Sequence, residues 1–188
     1  MTAAQATALN GRYVIDQANT RIGFAARYAM VTTVRGGFTE FHGTAQLDAD
    51  DPARSSILVI MNTASLDTGQ NQRDDHLRSP DFLDVETYPE IVFQSTGVQP
   101  AADDHYLLTG DLTICGVTRP VSIEITFTGS SIDHLGHELA GFEGSTSISR
   151  ANFGLTWNAI LETGGVLVGD EIDLHFDVAL IRIHTAAD

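Results

Sequence analysis

Cysteine is almost absent from this sequence of 188 residues, in which Cys115 stands alone. A single cysteine forms no intrachain disulfide and provides no cysteine-based zinc site. Basic residues are also scarce: ten Lys and Arg stand against 25 Asp and Glu, which gives a formal net charge of −15. Because a surface this negative repels phosphate groups, the composition argues against nucleic-acid binding through a basic face and against charge-driven docking on anionic lipid.

Long apolar runs are missing as well. The longest one covers only residues 57–61, whereas roughly 18–20 apolar residues are needed to span a bilayer, so we predict no integral membrane segment. Residues 1–10 contain neither a basic segment nor the apolar core that a signal peptide requires. We therefore expect a flexible N-terminal tail over residues 1–10 and a soluble, cytoplasmic protein.

The remaining composition is that of an ordinary globular protein, with 43% hydrophobic and 19% charged residues. The length fits one domain, which we place at residues 11–184. Apolar and polar residues alternate, as is typical of strands with one buried face. The alternation is clearest at residues 21–28, 39–47, 106–114, 121–128 and 171–180, and further strands are expected near 12–16, 56–63, 90–98, 140–149 and 154–162. Short polar turns between these segments favour antiparallel neighbours.

Residues 70–83 interrupt the alternation. This segment is polar, with Leu77 and Phe82 as its apolar points, and it predicts one or two short helices. A break is expected at Ser79-Pro80, because the residue before a proline avoids the helical region. About eight or more strands with one helical insertion favour an all-β fold, either a closed antiparallel barrel or a sandwich.

Small residues on the apolar faces of these strands have two interpretations. They are Ala26, Gly43, Ala45, Ser95, Gly110, Gly144 and Thr146. Small inward residues along a barrel axis leave a lumen that can hold one small ligand. Alternatively, the glycines mark bends, where they relieve strain. The pattern of residues leaves both interpretations open.

Motifs of catalysis and metal binding are mostly absent. The sequence has no glycine-rich phosphate loop, no nucleophile elbow and no metalloprotease helix. His134 and His137 form the one close histidine pair, and Gly136 between them indicates a loop, so we interpret them as solvated side chains. Cys115 has no evident activating neighbour and is interpreted as a small buried residue. We predict no metal site and no cofactor.

Two polar clusters remain, each with two interpretations. In the segment 73–78, His76 and Asp74 could act as acid and base, or the segment could tie strands together through hydrogen bonds. Arg150, near Trp157, could anchor a strand end or be the polar partner of a ligand headgroup. We interpret both clusters as structural, and the alternatives stay open.

Five segments, taken together and in order, resemble the YceI-like family, also called the polyisoprenoid-binding family. They are VRGGFTEFHG at 34–43, ASLDTG at 64–69, RDDHLRSPDFLDV at 73–85 followed by YPEIVF at 88–93, GDLTICGVTRPV at 110–121, and SRANFGLTW at 149–157 followed by VGDEI at 168–172. No single segment is decisive, but the ordered set is specific and extends over roughly residues 12–183.

The resemblance implies an extended, lipocalin-like antiparallel β-barrel of about eight strands, with the helical insertion near 70–84. It also implies a long apolar ligand in the lumen, such as a polyprenyl chain or an isoprenoid quinone. The expected ligand-binding side chains are Phe24, Ala26, Tyr28, Phe41, Ala45, Phe93, Leu108, Leu112, Phe142 and Trp157. The family usually has histidine where this chain has Tyr28, which keeps a hydroxyl but does not become cationic near neutral pH.

The expected function is non-enzymatic binding, transport or storage of such a lipid. Two alternatives belong to other classes of protein. The first is an enzyme that acts on a lipid-like or quinone substrate, with His76 or Tyr28 as the proton-transfer group. The second is a stress-related interaction module whose barrel is packed and carries no ligand. A homodimer is compatible with the sequence, which does not predict the oligomeric state.

Overall fold

The computed structural model describes residues 9–162 and 164–184 of the chain. The strands are β1 (Gly11–Ile15), β2 (Arg21–Tyr28), β3 (Thr32–Phe38), β4 (Phe41–Leu47), β5 (Ser56–Asn62), β6 (Leu66–Asp67), β7 (Glu90–Ala102), β8 (His105–Ile114), β9 (Val117–Ile132), β10 (Glu138–Ser149) and β11 (Val168–Ile183). The α-helix α1 covers Asn71–Arg78, and short 3₁₀ turns lie at Pro52–Arg54, Thr63–Ser65 and Arg150–Phe153. The all-β prediction is confirmed.

The strands close into a barrel. β11 pairs with β1 through residues 180–183 and with β2 through residues 168–177, so β1 and β2 act as one long bent strand. β3 and β4 continue each other in the same way, as do β5 and β6. Because β1 also pairs with β4, the ring is complete with eight long antiparallel strands. The lipocalin-like barrel prediction is confirmed, and the sandwich alternative is wrong.

The predicted strand near 154–162 is wrong. Residues 155–159 have no regular secondary structure, and Ile160 forms only an isolated bridge with Val166. Two features explain the difference. Gly154 has a φ of +80°, which turns the chain away from an extended path, and the carbonyls of Leu155 and Trp157 accept hydrogen bonds from Arg150 rather than from a neighbouring strand.

The helical insertion covers one end of the barrel. α1 ends at Ser79, directly before Pro80, as predicted, and the following turns are tied back to it by the bond from Leu83 N to Leu77 O, 3.0 Å. Leu77 and Leu83 face the interior. In the part of the chain that the structure describes, no helix has the length and apolar character required to cross a membrane.

The apolar core forms two clusters. The larger one holds buried residues of β4, β5, β7 and β8 together with Leu83 and Phe153. The smaller one lies where β1 begins and includes Tyr13, Ala45 and Leu9. Leu9 is thus buried, and the Asn10 side chain accepts a bond from Ala49 N at 2.6 Å, so these two residues pack on the barrel. The rest of the predicted tail, residues 1–8, lies outside the described residues.

Candidate functional site

An apolar cavity of about 310 Å³ lies inside the barrel. It exists because alternate residues of each strand face inward. On β11, for example, Leu174, Phe176 and Val178 line the cavity, whereas His175 and Asp177 between them are exposed. A pocket of this size falls at the lower end of the range for small-molecule sites, roughly 300–1,000 Å³. Its lining is almost entirely hydrocarbon, so the cavity offers burial rather than hydrogen bonding to an occupant.

The side chains that line the cavity differ in burial. Phe93, Leu108 and Leu112, on one wall, are buried in the larger core cluster. On the opposite wall, Ala26 and Ile172 line the cavity and are half-buried, as are Val59 on β5 and Val121 on β9. Half-buried lining residues therefore occur on several sides of the cavity.

The glycines of the inward faces are sites of close packing. A Cβ at Gly110 would lie 2.5 Å from the ring of Phe93, one at Gly144 would lie 2.8 Å from Ile125 Cγ2, and one at Gly43 would lie 2.5 Å from Leu58 O. These glycines make room for a neighbour and do not themselves open the lumen. Ala26, which lines the cavity and is only half-buried, does contribute open space.

The structure brings most of the predicted ligand-binding residues to the cavity. The ones that line it are Phe24, Ala26, Ala45, Phe93, Leu108, Leu112 and Phe142. Whether they contact a ligand stays a prediction.

Three of the predicted residues do not line the cavity. Phe41 is buried in the larger core cluster instead. Tyr28, at the end of β2, is 39% exposed. Trp157 belongs to the irregular segment after Gly154, so strand alternation does not apply to it. Its ring packs against His76 and Phe82, with centroid separations of 4.6 and 5.2 Å.

Apart from Phe142, sequence reasoning missed the wall formed by β10 and β11. Ile148, Ile172, Leu174 and Phe176 line the cavity, and the alternation in β11 was a sufficient signal for three of them. The reasoning also missed the helical cover, because Phe82 reaches the cavity from a turn segment without periodicity.

Arg150 is the buried cation at the cavity wall. Its guanidinium donates to Gly169 O at 3.0 Å, Leu155 O at 2.6 Å, Trp157 O at 2.9 Å and Val168 O at 3.3 Å. A guanidinium has five N–H donors, so four bonds to carbonyls leave little capacity for a headgroup. Burial lowers the pKa of Arg150, and the charge of Asp170 opposes that shift. The geometry supports the anchoring interpretation.

The polar cluster around α1 also ties the chain together. Asp74 is buried and accepts hydrogen bonds from the hydroxyl and the backbone N–H of Thr68, the latter at 3.1 Å. Arg73 donates to the same threonine hydroxyl at 2.7 Å. His76 contacts Asp81, with Nε2 to Oδ2 at 3.0 Å, rather than Asp74. The acid–base pair of His76 and Asp74 is therefore not formed.

The remaining candidates are accounted for by local contacts. Cys115 lies half-buried at the turn between β8 and β9, where its thiol donates to Leu83 O at 3.5 Å and burial raises its pKa. His137 Nδ1 lies 2.9 Å from Asp133 Oδ2. Among residues 9–162 and 164–184, no three His, Cys, Asp or Glu side chains are grouped so that they could hold a metal ion.

A closed eight-stranded antiparallel barrel with an apolar interior and one covering helix places the protein in the lipocalin-like class. The family described as YceI-like domain matches residues 13–180. The chain therefore belongs to the YceI-like family.

Curated relatives carry the description UPF0312 protein. The one from Azotobacter vinelandii is 38% identical over 150 residues, which is 79% of this chain and 78% of the relative. The one from Pseudomonas savastanoi pv. phaseolicola is 39% identical over 157 residues, which is 82% of this chain and 81% of the relative.

Solved structures share the fold. BcnA from Burkholderia cenocepacia superposes with a TM-score of 0.78 at 25% identity, covering 88% of this chain and 98% of that one. A polyisoprenoid binding domain from Saccharophagus degradans, implicated in plant cell wall breakdown, has a TM-score of 0.69 at 12% identity, covering 91% of this chain and 98% of that one. At 12% identity the second likeness shows the fold alone.

Proposed function

We propose that this protein binds a long apolar lipid of the isoprenoid type in its barrel lumen and acts as a non-enzymatic carrier or store. The apolar cavity of about 310 Å³ carries the proposal. Membership of the YceI-like family supports it. So does the shared fold of the Saccharophagus degradans domain, whose description names polyisoprenoid binding.

Burial of hydrocarbon supplies the driving force. Each CH₂ group taken from water contributes about 0.8 kcal/mol, so one five-carbon isoprene unit contributes about 4 kcal/mol before the cost of ordering the chain. The cavity is bordered by half-buried side chains such as Phe24 and Ile172. These side chains can change rotamer more easily than the buried wall, which suits the lumen to flexible chains.

The polar groups near the lumen support binding rather than turnover. Arg150 is engaged by four carbonyls, and Asp74 is held by Thr68. The cavity also favours a ligand-binding barrel over the packed interaction module. Incubation with a prenyl quinone followed by chromatography of the extract tests the enzyme alternative: an unchanged quinone supports the carrier, and a new product supports an enzyme.

A titration with prenyl quinones of increasing chain length tests the proposal. Trp157 is the one tryptophan of the sequence and packs on Phe82, which lines the cavity, so its fluorescence reports on occupancy. We expect saturation at one ligand per chain, with affinity that rises with chain length until the lumen is full. Quinone headgroups without a tail serve as the control. Absence of saturable binding at every chain length contradicts the proposal.

The cytoplasmic location stays a prediction, and the sequence leaves the oligomeric state open. Fractionation of the source cells checks the first, and sedimentation equilibrium over a range of protein concentrations checks the second.

A further inference from the structure

Large apolar side chains are exposed to solvent at one end of the barrel. Met30 is 62% exposed, Val31 is 83% exposed and Ile160 is 88% exposed, with Tyr28 and Val166 beside them also exposed. We call residues 28–31, 160–162 and 164–166 the apolar rim. Scattered exposed apolar residues are normal on a protein surface, but a cluster of them marks an interaction site.

The two loops of the rim form one surface. The backbone N–H of Ala29 donates to Leu167 O at 2.7 Å, which fastens the β2–β3 turn to the segment 164–167. Met30 lies over Gly165, since a Cβ at that glycine would meet the Met30 sulfur at 2.4 Å. Exposure of these side chains therefore comes from a defined arrangement and not from two unrelated loops.

The β2–β3 turn is also unusual in its sequence. Ala29 and Met30 have φ values of +49° and +63°, the conformation that asparagine and glycine normally supply in a two-residue hairpin turn. Strain of this kind tends to persist at functional positions. Here it places an apolar side chain, Met30, at the outermost point of the hairpin.

The rim carries less charge than the rest of the molecule. The chain has a formal net charge of −15, yet residues 28–34 have no formal charge and residues 159–169 contain only Glu162. The rim is also continuous with the cavity wall. Tyr28 pairs with Val168, which lines the cavity, and Ala26 pairs with Ile172, which does the same.

From these observations we infer that the apolar rim docks on a lipid surface of low charge, such as a zwitterionic bilayer, where the ligand enters or leaves the lumen. The inference rests on the proposed function, because the lumen's ligand resides in lipid. Apolar loop tips that carry a single charged residue, Glu162, suit insertion at the boundary between headgroups and acyl chains. A protein interface is typically rich in aromatic residues and arginine, whereas the rim has one aromatic residue, Tyr28, and no arginine. The overall negative charge disfavours anionic membranes.

Flotation with phosphatidylcholine vesicles tests the inference. Wild-type protein is expected to float with these vesicles and to float less when phosphatidylglycerol is added. Val31→Asp and Ile160→Asp are expected to reduce partitioning about tenfold each, since burial of one such side chain is worth about that factor. The matched control is Ile132→Asp, which alters a side chain that is 68% exposed at the other end of the barrel. That end is roughly 40 Å away along β11 at about 3.3 Å per residue.

Three results would overturn the inference. The first is that the wild type does not float. The second is that Ile132→Asp reduces flotation as much as the rim variants do. The third is that the rim variants still float but lose self-association. Circular dichroism and the melting temperature establish that each variant is folded. Titration with a short-chain prenyl quinone in the absence of vesicles separates the two proposals. Retained quinone binding without flotation rejects only the docking surface, whereas flotation without quinone binding rejects the proposed function.

Discussion

The ring of Phe93 lies directly over Gly110, so a Cβ at that glycine would sit 2.5 Å from the ring atoms Cε2 and Cζ. Phe93 and Gly110 belong to adjacent strands, β7 and β8, and both lie on the inward face of the buried wall. Position 110 requires glycine because a larger side chain would overlap the Phe93 ring, and not because of its backbone conformation. The contact also shows that this part of the barrel wall is closely packed.

Gly110→Ala is accordingly expected to destabilise the protein by about 1–3 kcal/mol through overpacking. At roughly 2–4 °C per kcal/mol for a chain of this size, thermal unfolding should show the change clearly. Gly23→Ala is the control, because its Cβ would meet its nearest atom at 3.4 Å, an ordinary contact. Equal melting temperatures for the two variants would show that the Phe93 ring moves aside at no cost.

Two alanines of the lumen should respond differently to the same enlargement. Ala26→Trp is expected to fill open space and abolish ligand binding with little change in the melting temperature, since Ala26 is half-buried at the cavity. Ala45→Trp is expected to cost about 1–3 kcal/mol of stability, because Ala45 is buried within the smaller core cluster. Thermal unfolding and quinone titration of both variants check this. A larger loss of stability for Ala26→Trp would place the open volume elsewhere.

Arg150→Gln should loosen the segment that follows it. Hydrogen bonds to charged groups contribute about 1.5–3 kcal/mol each and are not additive, so we expect a loss of at least about 3 kcal/mol in the free energy of unfolding. Hydrogen exchange should accelerate at Leu167 and Val168, whose N–H groups bond to Ala159 O and Asn158 Oδ1. Arg54→Gln is the control, because the Arg54 guanidinium lies 3.4 Å from Asp48 at an exposed position, where an ion pair contributes little. Unchanged exchange in the Arg150 variant would contradict the anchoring role.

Acid should weaken the structure partly through Asp170. Its carboxylate accepts hydrogen bonds from the Ser149 hydroxyl and the Ala151 N–H, and these hold its pKa below the ordinary value of 3.8. A carboxyl whose pKa is lower in the folded state stabilises the fold above its unfolded pKa, and that stability is lost as the pH falls through the folded pKa. Asp170→Asn should therefore reduce the difference in urea midpoint between pH 7 and about pH 3. The neighbouring exposed Glu171→Gln is the control, and an Asp170→Asn variant with the wild-type acid response would refute the assignment.

Alternation was enough to predict an all-β fold, because each long strand presents one face to the interior and one to solvent, whereas the choice of a barrel over a sandwich came from the family resemblance. It correctly placed Phe24, Leu108 and Phe142 at the cavity. The same rule fails at Trp157, where a left-handed Gly154 and the carbonyl bonds of Arg150 replace strand pairing with an irregular path. No period in the sequence encodes such tertiary bonds.

The shape of the lumen could not be predicted from the sequence, for a related reason. Ala26 and Ala45 are the same residue on similar strand faces, yet one borders open space and the other is buried. The difference depends on which side chains arrive from strands far away in the sequence, such as Phe127 and Leu180 beside Ala45. Alternation does not predict turn conformations either. Met30, which has a left-handed backbone conformation, lies in a turn that the alternation does not mark.

Native mass spectrometry of the protein purified from its source cells, followed by organic extraction, tests the central claim most directly. The account predicts one added mass per chain, released into the organic phase as a lipid with an isoprenoid tail, and a reduced occupancy in Ala26→Trp. A preparation without bound lipid, which also fails to take up prenyl quinones or polyprenyl lipids when they are supplied, would contradict it.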